Sequence, residues 1–187
     1  IFSKYELDLN FPNYEKSNFN FFLEKVSNDT YLKIFDTVSK QIKINLKKIA
    51  VGGHSYGGAT AIHSAKADKR IKTCFVLDGW ISPVPKPTIE LGLQKPLLSV
   101  GRPNWEDSDY PDNYNLLSKL VSNSSKPNYN IIIKNTLHLD YTDIPLYSPV
   151  IKYVMDVGDL PPSISQRLIN SLIFSFLESY LLGKPIE

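Results

Sequence analysis

The sequence predicts an α/β fold, a mostly parallel sheet with helices on both faces. Three observations carry this. Apolar strand-like runs alternate with helical segments along much of the chain. One such run, Ile71 to Leu77, is apolar at nearly every position, as expected for a strand covered by helices on both sides. And Gly53-His54-Ser55-Tyr56-Gly57 sits between a β-branched run and a stretch of small helix formers.

Taken in order, residues 1–20 are aromatic and Asn-rich without a clean period and read as loop and short turns. A helix is expected from Asp29, because Leu32, Phe35, Val38 and Ile42 share one face and Asn28 or Asp29 can cap it. Lys48 to Gly52 is a strand and Tyr56 to Lys66 a helix. Ile71 to Leu77 is the second strand. Pro83, Pro85, Pro87 and Pro96 interrupt the next stretch of chain. The excursion from Ile81 to Leu93 is expected to be a packed loop, because its apolar spacing lacks a clean helical period; a lid or lipid-facing surface is the alternative. Pro96 to Gly101 is a third strand, Asp112 to Ser122 a helix, and Tyr129 to Lys134 a fourth strand. Pro161-Pro162-Ser163 opens a final helix whose Ile164, Leu168, Leu172, Phe176 and Tyr180 form one stripe, flanked by Ile169, Ile173, Leu177 and Leu181, and Gly183 closes it.

Composition narrows the function classes. The 187 residues are 42% hydrophobic with a net charge of +2, which suits one domain with a real core and gives no electrostatic case for nucleic acid. The single cysteine, Cys74, excludes an intramolecular disulfide and a cysteine-rich metal site; within an apolar strand it reads as an inert buried thiol. No apolar run approaches the ~18 residues of a membrane span, and Ile1 to Asn10 do not resemble a signal peptide. A cytoplasmic and a secreted location both stay open, as does oligomeric state. Beginning at Ile1, the chain reads as a processed product or a fragment. Asn28-Asp29-Thr30 and Asn123-Ser124-Ser125 are glycosylation sequons, patterns too short to decide compartment.

The pentapeptide around Ser55 names a reaction. Gly-x-Ser-x-Gly at a strand-to-helix turn is the nucleophile elbow, which lifts a serine hydroxyl above the sheet edge. Gly53 and Gly57 are expected to let strand and helix approach closely. The amide of Tyr56 would face a developing oxyanion. A serine needs a base, and the base a carboxylate to hold its tautomer. Of the three histidines, His63 lies too far along the helix. His54 adjoins Ser55, and its side chain should turn into packing or toward the pocket wall. His138 follows the fourth strand, where such a base belongs. The acid should fall between serine and histidine in chain order. Asp78 ends the second strand; Glu106, Asp107 and Asp109 follow the third, with Asp107 the next candidate. Asp140 and Asp143 are expected to brace the histidine loop. Trp80 is expected to wall an acyl pocket and Trp105 to line the far side of the cleft.

Gly53-His-Ser-Tyr-Gly-Gly-Ala-Thr60, Leu77-Asp-Gly-Trp80 and His138 with Asp140 to Asp143 behind it resemble the platelet-activating factor acetylhydrolase family, the plasma and type II intracellular group and its microbial relatives. The resemblance covers roughly residues 46 to 183. It implies an α/β-hydrolase fold, with Ser55 as nucleophile, His138 as base and Asp78 as its orienter. It also implies hydrolysis of the short or oxidised sn-2 acyl chain of glycerophospholipids, without cofactor or metal. Peripheral contact with a lipid surface would follow from such a substrate.

One departure bears on activity. The second oxyanion amide of this fold comes from a loop after an early strand, and the residues before Ser55 contain neither a Gly-rich loop nor an obvious set of strands. Residues 1–187 therefore read as one partial α/β-hydrolase catalytic domain lacking N-terminal strands. The isolated chain is expected to be weakly active or inactive and to expose a sheet edge. A carboxylesterase or polyester-type hydrolase, a thioesterase, or a catalytically incomplete interaction domain are the competing readings.

Overall fold

The computed structural model describes residues 45–103, 105 and 110–185. The loop expected over 1–20, the helix expected from Asp29, and Glu106, Asp107 and Asp109 lie outside the described residues.

Four strands form one sheet: β1 (Ile49–His54), β2 (Ile71–Leu77), β3 (Leu97–Gly101) and β4 (Asn128–Ile132). Their spatial order is the chain order, and every pairing is parallel. Parallel neighbours need crossovers, and each carries a helix: α1 (Tyr56–Ala67), α2 (Lys86–Leu91) and α3 (Asn113–Asn123). After β4 come a turn of 3-10 helix at His138–Tyr141, the short α4 (Ile144–Tyr147) and the long α5 (Pro162–Leu177).

The side-chain period of two sorts each strand onto two cores. Cys74 and Val76 of β2 and Leu97 of β3 join Ala59, Ile62 and Ala65 of α1 and Leu117 and Leu120 of α3. Phe75 and Leu77, with Leu98 and Val100, face the opposite way and pack with Ile169 and Phe176 of α5. Full burial of such a side chain is worth about 1.5–3 kcal/mol. Burial pushes the Cys74 thiol up to about 12, so it is neutral at ordinary pH.

Three expectations need correction. The excursion from Ile81 to Leu93 is packed, with Ile81, Val84, Ile89 and Leu93 buried, but it contains α2. Pro87 stands in the first turn of α2, where its missing N–H costs nothing, and Gly92 at φ 63° ends it. The stripe on α5 is displaced in its first half: Ser165 and Ile169 are buried, whereas Ile164 is 50% and Leu168 42% exposed. There α5 meets the His138 turn through polar groups, Gln166 Nε2 donating to the carbonyls of Asp140 and Thr142. Finally, α5 does not run unchanged to Gly183; Glu178–Leu182 widens into a π turn.

Among the described residues β1 pairs only with β2, leaving its outer edge without a described partner strand. The carboxyl ends of β1, β2 and β3 deliver Ser55, Asp78 and Arg102 to the same edge of the sheet.

Candidate active site

Ser55 stands between β1 and α1 at φ 54° and ψ −121°. A non-glycine residue there carries strain on the order of 1–3 kcal/mol and persists only when its surroundings fix it. Three backbone bonds do so: Ser55 N–H donates to Leu77 at 3.0 Å, and the Ser55 carbonyl accepts from Gly58 at 2.9 Å and Trp80 at 3.0 Å. The neighbouring glycines divide the work differently from expectation. A Cβ on Gly53 would lie 2.3 Å from the Gly57 carbonyl, and one on Gly58 2.7 Å from Val76 Cγ1. A Cβ on Gly57 would meet nothing within 4 Å. Gly53 and Gly58 permit the close approach, while Gly57 borders open space beside Ser55.

Asp78 follows β2 at φ 39°, its backbone held by a 2.7 Å bond to Val100. Its side chain is fully buried. An ionised carboxylate in that position is costly unless paired. Oδ1 accepts the Arg102 amide at 3.1 Å and the Trp105 indole N–H at 3.0 Å. Oδ2 accepts His138 Nδ1 at 2.6 Å and has Arg102 Nε 3.2 Å away as an ion pair. Asn113, itself buried, clamps the following turn by accepting from Ile81 N–H and donating to the Gly79 carbonyl.

His138 puts Nε2 3.0 Å from Ser55 Oγ. With Nδ1 donating to Asp78, Nε2 is left as the acceptor for the serine proton. Asp140, fully buried, secures this turn: Oδ2 accepts the amides of Leu137 and Gly158, each at 2.7 Å. The expected brace therefore rests on Asp140 alone. Asp143 is exposed and, as the N-cap of α4, makes no side-chain capping hydrogen bond.

His54 takes the packing position rather than the pocket wall. Nε2 lies 2.9 Å from the His138 carbonyl and donates to it, and the two rings stand 4.4 Å apart. Burial first, and the neighbouring His138 second, hold the His54 imidazole below its ordinary range. Trp80, half-buried, packs its ring 4.5 Å from Tyr110 and 6.0 Å from Tyr56, and its amide bonds the Ser55 carbonyl. Trp105 is not across a cleft. It lies against Asp78, 5% exposed, with its ring edge-on to His138 at 5.6 Å. The Tyr56 amide opens α1, where the first N–H groups have no helical acceptor.

Two residues were missed from sequence. Arg102 contacts Asp78, and its Nη1 lies 3.3 Å from Asp156 Oδ2. That same oxygen accepts the His138 amide at 3.2 Å. The available signal was position: Arg102 directly follows β3 at the edge where Asp78 follows β2.

Comparison with known proteins places these residues in a family. The model of the family described as platelet-activating factor acetylhydrolase, isoform II, matches residues 24–184. Platelet-activating factor acetylhydrolase of Gallus gallus is 31% identical over 149 residues, covering 79% of this chain and 34% of that protein. That of Canis lupus familiaris is 28% identical, covering 79% and 32%. The chain thus spans about a third of the length of the curated relatives it matches. Among solved structures, a ferulic acid esterase from Streptomyces cinnamoneus superposes with a TM-score of 0.67 at 18% identity, over 92% of this chain and 52% of that one. An acylaminoacyl peptidase from Pyrococcus horikoshii gives 0.57 at 14%, over 88% and 28%. These likenesses show the α/β-hydrolase fold.

Proposed function

Because the chain belongs to the platelet-activating factor acetylhydrolase, isoform II, family, we propose that it is a serine ester hydrolase acting on the short or oxidised sn-2 acyl ester of glycerophospholipids. The observation that carries this reading is the hydrogen-bonded run from Ser55 Oγ through His138 to the buried Asp78. His138 takes the Ser55 proton as Oγ attacks the ester carbonyl. Asp78 holds the tautomer and stabilises the imidazolium that forms. The Tyr56 amide supports the oxyanion. The imidazolium then protonates the departing alcohol, leaving an acyl-serine. Water, deprotonated by His138, releases the acid. The proton taken from water returns from His138 to Ser55 Oγ as the acyl group departs, while the original Ser55 proton leaves with the alcohol, so the scheme balances.

Trp80 and the open space beside Gly57 form the acyl side of the site. His54 and Trp105 serve the base and the acid rather than the substrate. Contact with a lipid surface falls to residues after the His138 turn rather than to the Ile81–Leu93 excursion. Tyr147, Tyr153 and Val154 are 77%, 75% and 74% exposed, and Leu146 beside Tyr147 and Val150 between them are exposed as well.

The test is a panel of esters. Phospholipids with sn-2 acetyl should be cleaved and those with long unoxidised sn-2 chains spared. Tyr147→Ser with Val154→Ser should slow cleavage in vesicles ~10-fold and leave a soluble acetyl ester unaffected. Equal cleavage of simple aryl, polyester and phospholipid substrates would favour the general carboxylesterase reading.

A further inference from the structure

Four residues close a ring at the carboxyl edge of the sheet. His138 Nδ1 meets Asp78 Oδ2 at 2.6 Å. Arg102 Nε stands 3.2 Å from that oxygen, and Arg102 Nη1 3.3 Å from Asp156 Oδ2. Asp156 Oδ2 returns to His138 through its backbone amide at 3.2 Å, and the Asp156 carbonyl accepts the Leu139 amide at 2.9 Å. The guanidinium also lies 4.5 Å over the Trp105 ring, so Asp78, Asp156 and Trp105 flank it, the Asp78 contact being ionic rather than a hydrogen bond. The Arg102 side chain is 13% exposed and that of Asp156 48%.

A guanidinium in this position works against the acid it touches. Asp78 is useful because its negative charge stabilises the imidazolium formed when His138 takes a proton. A permanent positive charge on the same carboxylate oxygen opposes a second one arriving on His138. Asp156 stands on the far side of that guanidinium and supplies the compensating charge. With all three ionised, the cluster of Asp78, Arg102 and Asp156 presents a net single negative charge to the base.

We infer that Arg102 and Asp156 are positioning residues acting as a compensated pair: Arg102 ties the acid to the segment that holds the base, and Asp156 cancels the charge Arg102 would otherwise direct against the imidazolium. The inference rests on the reading of Ser55, His138 and Asp78 as an acyl-transfer site. Among the described residues, the titratable and charged groups facing His138 are His54 from the end of β1, Asp78 from β2, Arg102 from β3, Asp156 from the segment before α5 and Asp140 in its own turn. His54 spends its Nε2 on the His138 carbonyl. Asp140 spends Oδ2 on two backbone amides. Tyr114, on α3, donates its hydroxyl to the Arg102 carbonyl. Arg102 and Asp156 are the two opposite charges of this group that also touch each other.

The test reads two quantities in the full 187-residue chain: the acid limb of kcat/KM on a soluble acetyl ester, and the midpoint of the His138 ring titration followed by NMR. Asp156→Asn removes a negative charge, disfavours the imidazolium and should move both to lower pH, by a few tenths of a unit because Asp156 is half exposed. Arg102→Gln removes the opposing positive charge and should move both to higher pH, by about 0.5–1 unit. The double variant should fall between them and turn over faster than Asp156→Asn alone. Arg102→Lys should keep the parent midpoint.

Shifts in the same direction, or none, would overturn the inference. Should Arg102→Gln fail to fold, the downward shift in Asp156→Asn against an unmoved Arg102→Lys still decides it. The NMR midpoint needs no turnover. Opposite shifts in a chain that cleaves no ester would therefore keep the charge pair and sink the ester-hydrolase reading. An active chain with unmoved midpoints would do the reverse.

Discussion

Asp78→Asn is expected to lower turnover on a soluble ester about 10⁴-fold while the protein stays folded. The size follows from which way the amide must face. The Oδ1 position is met by two donors, the Arg102 amide and the Trp105 indole N–H, so the amide oxygen belongs there. That places the NH₂ group at Oδ2, against His138 Nδ1 and the Arg102 guanidinium. A donor facing Nδ1 selects the tautomer with the proton on Nε2, and that nitrogen can then no longer accept from Ser55 Oγ. The substitution removes the imidazolium's counter-charge and inverts the base at the same time. Stopped-flow or single-turnover rates, with a melting curve as the control for folding, check this. A loss below about tenfold would mean that His138 does not depend on Asp78.

Gly53→Ala strikes the fold instead. The added methyl would sit 2.3 Å from the Gly57 carbonyl carbon and oxygen, and backbone, unlike a side chain, cannot swing aside. Relief requires α1 to move off β1, and α1 carries Ala59, Ile62 and Ala65 into the core. Overpacking of this kind costs about 1–3 kcal/mol, and a chain of this size loses about 2–4 °C of Tm per kcal/mol. The expected drop is therefore several degrees, with Ser55 displaced and activity lost. Gly57→Ala is the matched control: with nothing within 4 Å of the new methyl and a helical position that favours alanine, Tm should hold or rise slightly. If the two variants melt alike, the close approach at Gly53 does not limit stability.

Much of this architecture was legible in the residues because it depends on local rules. Strand runs ending in Gly53-His-Ser-Tyr-Gly57 and in Leu77-Asp78 fix where two side chains leave the sheet. A histidine after the next strands but one completes an edge that parallel pairing brings together. What escaped depends on distance in sequence. Arg102 and Asp156 are far apart along the chain and meet only because the segment before α5 folds back on the His138 turn. Trp105 has the composition of a cleft wall, yet the buried Asp78 needed a second donor and drew its indole N–H inward. Ile164 and Leu168 fit a helical stripe by spacing, but that end of α5 meets backbone carbonyls through Gln166 rather than an apolar surface. Periodicity says that a face is apolar; it does not say what stands opposite. Gly57 shows the same limit, since the motif marks both glycines while only Gly53 is pressed by backbone.

The central claim is that Ser55 is activated by His138 under the hold of Asp78. The measurement that addresses it most directly is covalent labelling of the chain with a fluorophosphonate, read by intact mass and peptide mapping, in the parent, Ser55→Ala and His138→Ala. The account predicts a single adduct on Ser55, absent in Ser55→Ala and formed far more slowly in His138→Ala, even where turnover of esters is low. A folded chain that takes no label, or one that labels equally after Ser55→Ala, would contradict it.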